Sequence, residues 1–123
     1  MAFTKSDMLV PANASVIRDT DAAGTANNNV NGAAAVLYEA IIDNSANAAQ
    51  KVYLKLYDNA APTIGTTAPN MIVPVPGGAT VSLAVPEGVS FATALSYACV
   101  TTGGTGGATD PTSNVILTLA ITN

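Results

Sequence analysis

The 123-residue chain has no histidine, no tryptophan, a single cysteine and only four basic side chains: Lys5, Arg18, Lys51 and Lys55. Each shortage excludes something. Without His there is no Ser-His-Asp or Cys-His triad, and the common zinc sites lose their main ligand. One cysteine forbids an intrachain disulfide. Cys99 lies in the apolar run Ser96-Tyr97-Ala98-Cys99-Val100. With no cation beside it to lower its pKa, it reads as a buried, inert hydrophobe. Four scattered cations do not neutralise a phosphate backbone, and six aromatics do not make a base-stacking platform, so nucleic acid is not an expected partner. No apolar run approaches the ~20 residues that span a bilayer. Met1 to Asp7 lacks the apolar stretch of a signal peptide, so the expectation is synthesis in a cytoplasm, with no membrane partner.

Charge itself is scarce. Charged residues are 10% of the chain, against about 25% in an average globular protein. Ala, Thr, Asn, Ser and Gly fill the gap, and the net charge is −4. Proteins that stay monomeric usually carry mixed charge for solubility, so this surface suits a chain that packs against others.

Short runs of Val, Ile, Leu, Thr and Tyr alternate with turn signals. In Lys51-Val52-Tyr53-Leu54-Lys55-Leu56-Tyr57-Asp58, Val52, Leu54 and Leu56 fall on one side, Tyr53, Lys55 and Tyr57 on the other. That period of two marks a half-buried strand. Ala34 to Asp43 alternates less cleanly, as expected for a strand with two buried faces or a bulge. The polar link from Asn44 to Ala49 makes it the predicted hairpin partner of the 51–58 strand. Pro74 puts Met71 to Val75 at a sheet edge. Thr80 to Val85 alternates with Val81, Leu83 and Val85 inward. Pro86-Glu87-Gly88 is a predicted turn into a strand over Val89 to Thr101. Thr102 to Pro111 is a Gly-rich loop with no fixed conformation of its own. Asn114 to Thr122 closes the chain with Val115, Leu117, Leu119 and Ile121 inward.

The sum is an all-β chain, an antiparallel β-sandwich of jelly-roll or Ig-like type. Its expected organisation is an extended N-terminal arm over residues 1–33 and a β-sandwich domain over 34–123. Met8-Leu9-Val10 and Ser15-Val16-Ile17-Arg18 are short strand candidates within the arm, and Asp19 to Gly32 is a polar loop.

No catalytic constellation emerges. Most of the eight carboxylates sit at strand ends or turns, where Asp caps backbone amides. Asp19 and Asp21, near Asn27 and Asn28, offer oxygens to Ca²⁺, but without the Gly and distal Glu of an EF-hand. The glycines of 103–107 have no following Lys-Ser/Thr, so they are not a phosphate loop. No enzyme activity, cofactor, metal or catalytic residue is expected. The amphipathic Tyr53, Lys55 and Tyr57 on the outward strand face are the candidate interface residues.

One set of segments is familiar. Val52-Tyr53-Leu54-Lys55-Leu56-Tyr57-Asp58, Pro62-Thr63-Ile64-Gly65-Thr66-Thr67, and Pro86-Glu87-Gly88-Val89-Ser90-Phe91-Ala92-Thr93-Ala94-Leu95-Ser96 resemble small β-sandwich structural proteins of tailed bacteriophages, cyanophages among them. The similarity covers Leu37 to Thr101 and the β-rich C-terminus, and its motifs are structural. It implies a virion structural protein, first of all a capsid decoration (cement) protein bound to the shell as a homo-oligomer. A trimer is favoured, with the major capsid protein or another virion protein as partner. A tail, fibre or baseplate component is the second reading. A small carbohydrate-binding adhesin module, marked by exposed Tyr residues along a groove, is the third.

Overall fold

The computed structural model describes residues 13–123, and the Met8-Leu9-Val10 strand candidate lies outside them. Seven strands form: β1 (Ser15–Ala22), β2 (Ala35–Asp43), β3 (Val52–Asp58), β4 (Met71–Val75), β5 (Thr80–Phe91), β6 (Leu95–Val100) and β7 (Val115–Thr122). No helix occurs among the described residues. Two antiparallel sheets, ordered β1-β7-β2-β5 and β4-β3-β6, pack face to face as a β-sandwich. The alternating apolar positions meet between them. Val52, Leu54 and Leu56 of β3 face Leu37, Ala40 and Ile42 of β2 and Val115, Leu117, Leu119 and Ile121 of β7 in one buried cluster. Phe91 and Leu95 close the same core.

The pairing has a simple logic. β1 pairs with β7, β2 with β5, and β3 with β4. Between β1 and β2 the chain crosses to the other sheet and runs along β6. The Cys99 amide donates to the Ala23 carbonyl at 2.8 Å, Asn27 and Tyr97 exchange a bridge, and the Val30 amide donates to the Leu95 carbonyl at 2.9 Å. With segment 23–30 counted as a strand, first pairs with last throughout, so the chain is one long antiparallel ribbon wound on itself. That is the jelly-roll arrangement rather than the Ig-like one.

Four expectations are corrected. Residues 15–30 are not an arm, because β1 lies in the four-stranded sheet and 23–30 covers the β6 edge. The boundary expected at 33/34 therefore does not separate a domain. β2 and β3 are not hairpin partners but lie in different sheets. The short polar link between them crosses the sandwich, held by Asn44, whose Nδ2 donates to the Gln50 and Pro76 carbonyls at 2.8 and 3.1 Å. Pro86-Glu87-Gly88 is not a turn. β5 continues through it as a wide bulge, with residues 85–88 opposite Tyr38 alone. Gly88 has φ +80°, and a Cβ there would overlap Val36 Cγ1, so only glycine fits. Finally, the predicted strand over Val89 to Thr101 is broken at 92–94, where the Asp58 carboxylate accepts the Thr93 amide at 2.8 Å and the Ala92 and Ala94 amides at 3.2 Å. Pro74 does lie in an edge strand, as expected, since a residue without an N–H is tolerated there.

Candidate interaction surface

Tyr53, Lys55 and Tyr57 do point away from the core on the outer face of the three-stranded sheet, but that face is closed. Lys55 and Tyr57 are fully buried and Tyr53 is half-buried. Over Tyr53 and Lys55 the cover is the Gly-rich loop after β6. Its ends are tied by the Thr101 amide donating to the Thr109 carbonyl at 3.0 Å. Gly103 lies on the Tyr53 ring, where a Cβ would sit 3.2 Å from Cε1. The Lys55 ammonium donates to the Gly104 carbonyl and, at 2.8 Å, to the Gly107 carbonyl. The glycines are needed for this close approach. Gly104 has φ +73°, and a Cβ on Gly107 would overlap the Thr102 carbonyl oxygen.

A buried cation is normally offset by a carboxylate. Here backbone carbonyls take that role, and burial alone holds the Lys55 amine below its ordinary value. Lys55 is thus a clamp for the loop, and of the three residues expected on an exposed face only Tyr53 keeps partial exposure. The Tyr57 hydroxyl is buried with no hydrogen-bond partner among the described residues, and burial raises its pKa. No groove of exposed tyrosines forms either: Tyr97 is buried and Tyr38 half-buried.

The carboxylates are occupied by the fold. Asp19 accepts the Tyr97 hydroxyl at 2.7 Å, Asn27 Nδ2 at 3.0 Å and the Asp21 amide at 3.0 Å, which ties β1 to the neighbouring sheet. Partial burial would raise its pKa, but these hydrogen bonds outweigh it and the net direction is down. Asp21 is raised, first by its hydrogen bond with Asp19 and then by that neighbour's charge. The oxygens considered for Ca²⁺ are therefore largely spent, and among the described residues no three or more His, Cys, Asp or Glu side chains converge on a metal position. Cys99 is fully buried, and burial followed by the Asp19 charge pushes its thiol up to about 12.

A cleft of about 280 Å³ lies at one end of the sandwich, between residues 46–50 and Thr112-Ser113. Its polar groups are likewise turned inward. Asn47 donates to Asn44 Oδ1 at 2.9 Å and to the Ser113 carbonyl at 3.0 Å, and accepts the Ser113 amide at 2.7 Å. Gln50 Oε1 accepts the Thr112 amide at 2.8 Å. The cleft is a by-product of this clamp.

Among the described residues, nothing covers the other outer face, on the four-stranded sheet. In register, Arg18, Thr118, Ile41 and Ser82 form one row across it, and Val16, Ala120, Glu39 and Ala84 the next. Every one of these except Ala120 keeps at least partial exposure, and Val16, at 69%, is the most exposed large hydrophobic side chain among the described residues. The patch is made mostly of small and β-branched side chains, with few charges. A strand's alternation does not reveal that a loop far along the chain folds back over one side.

No family model matches the chain, and searches of curated proteins and of solved structures returned no match.

Proposed function

We propose that the chain is a virion structural protein of a tailed phage, most concretely a decoration protein that seats on the outside of a capsid as a homo-oligomer. The observation that carries this reading is the asymmetry of the sandwich. One outer face is closed by the chain's own loop around Lys55, while the other is weakly charged and left uncovered by the described residues. Such a face suits permanent contact with other protein better than free solution. A jelly-roll sandwich is also a recurring architecture of capsid proteins, an analogy at the level of fold. The resemblance of the 52–58, 62–67 and 86–96 segments to phage structural proteins points the same way.

The test is to add purified protein to undecorated shells, locate it by cryo-electron microscopy and measure the heat resistance of the particles. Regular density on the shell with raised resistance is expected. Density confined to the tail would move the protein to the tail class, and absence from every part of the particle would refute the virion role.

A further inference from the structure

The two sheets have four edges, and three are blunted. β4 is five residues long and contains Pro74. β6 is covered by segment 23–30. β5 is broken by the bulge at 85–88, with Pro86 and Gly88 within it. These are the usual devices that stop a sheet from adding a foreign strand. β1 lacks them along its first part. From Ser15 to Asp19 it pairs with β7 in unbroken register, without Pro or Lys, and only after Asp19 does a bulge end the regularity, two residues of β1 opposing one of β7. Among the described residues nothing pairs with its other side, which presents a regular row of backbone donors and acceptors.

Resting on the homo-oligomer reading above, we propose that this edge binds β1 of a second copy, antiparallel, about a two-fold axis at Ile17. The regular stretch has its own symmetry. Ser15–Asp19 is five residues centred on Ile17, so a two-fold there uses all of it and nothing beyond the bulge. In that register Ile17 lies opposite its own symmetry mate and Val16 lies opposite Arg18 of the partner subunit. Both members of the second pair belong to the open outer face, so the apolar stem of Arg18 covers the exposed Val16 while its guanidinium stays in water. The one-residue shifts would bring inward-facing side chains opposite outward-facing ones and are forbidden by the pleat. The result is a continuous eight-stranded sheet across two copies, with the open face doubled in width. An isologous pair of this kind closes at two chains, in place of the three favoured from the sequence.

Sedimentation equilibrium on the full chain tests the pairing, first with variants of Val16, whose side chain is mostly in solvent. The full chain is expected at the mass of two chains. Val16→Arg sets like charges opposite Arg18 of the partner subunit and should weaken association by roughly tenfold or more. Val16→Glu sets opposite charges there and should keep the two-chain mass. In a Cys99→Ala background, Ile17→Cys should oxidise to an interchain disulfide, whereas Val16→Cys, whose opposite number is Arg18, should not. A one-chain or three-chain mass for the full chain overturns the proposal, as does an undiminished dimer of Val16→Arg or a dimer that Ile17→Cys fails to cross-link. Shell binding is read separately. A single-chain protein that still decorates shells sinks the edge pairing and leaves the virion role, while a dimer that binds no part of the particle sinks the role and leaves the pairing.

Discussion

Substituting Gly107 by Ala should unseat the loop that covers Lys55. The new Cβ would overlap the Thr102 carbonyl oxygen, a backbone atom that cannot swing aside, so the loop must move. The Gly107 carbonyl, 2.8 Å from the Lys55 ammonium, moves with it. A hydrogen bond to a charged group contributes about 1.5–3 kcal/mol, and here the cation has no exposed path to water that would replace it. With a urea m-value of about 1–3 kcal/mol per molar, the unfolding midpoint should fall by about 1 M. Gly106→Ala is the control. Nothing lies within 4 Å of a Cβ there, and the change should stay within about 0.5 kcal/mol of the parent. The decisive measurement is the cycle with Lys55→Met. Where no ammonium needs the carbonyls, Gly107→Ala loses only the steric part of its cost, and the two changes should couple by about 1–2 kcal/mol. Additivity within about 0.5 kcal/mol, or a Gly107→Ala protein as stable as the parent, would show that the loop does not depend on the lysine.

Three further outcomes follow from the packing and charge. Leu54→Ala empties a fully buried position between the sheets and should cost about 2–5 kcal/mol in urea unfolding; a loss under about 1 kcal/mol would mean the core closes over the gap. Asp19 and Asp58 are held below the ordinary carboxylate value, Asp58 by the Thr93, Ala94 and Ala92 amides. Their contribution is complete above the unfolded value of about 3.9 and is lost as pH falls through the lower folded values. Urea midpoints should therefore be flat toward neutrality and fall steeply in acid, with a shallower fall in Asp58→Asn. Cys99 should resist thiol reagents under native conditions and react on unfolding, and rapid native labelling would contradict its burial.

The strands that the sequence makes legible are those whose two sides differ strongly in polarity. β3 and β7 alternate without a break, and the structure places Leu54 and Leu119 at full burial accordingly. β2 was marked as irregular, and the irregularity is the bulge at Tyr38. Which sheet a strand joins is another matter. β2 and β3 are equally suited to pairing with each other or lying back to back, because alternation fixes which side is buried and not who the neighbour is. The link between them held a clue in Asn44 and Asn47, which are buried, and a plain hairpin turn has no need of buried amides. β1 is legible in its first half only: Ser15 to Arg18 reads as a strand, whereas Asp19, Thr20 and Asp21, polar on both sides, look like a loop. The alternation of β3 puts Lys55 on its outer side, as found, but carries no sign that this side is covered. The glycines of 103–107 are the one signal in the sequence for a close approach of backbone to a side chain there.

Scarce charge means something different once its use is known. Asp19, Asp43, Asp58 and Asp110 accept the amides of Asp21, Ser45, Thr93 and Gly24, so half of the eight carboxylates serve partly as caps for the chain's own backbone. Lys55, one of four cations, is removed from the surface altogether. A chain that began with few charges thus presents fewer still to water. Where charge does remain, on the open face, it is Arg18, Glu39 and Asp43 among Thr, Ala, Ser, Ile and Val. Long-range repulsion across such a face is weak, and contact there displaces little tightly held water. Both properties favour close, lasting association over steering toward a charged partner.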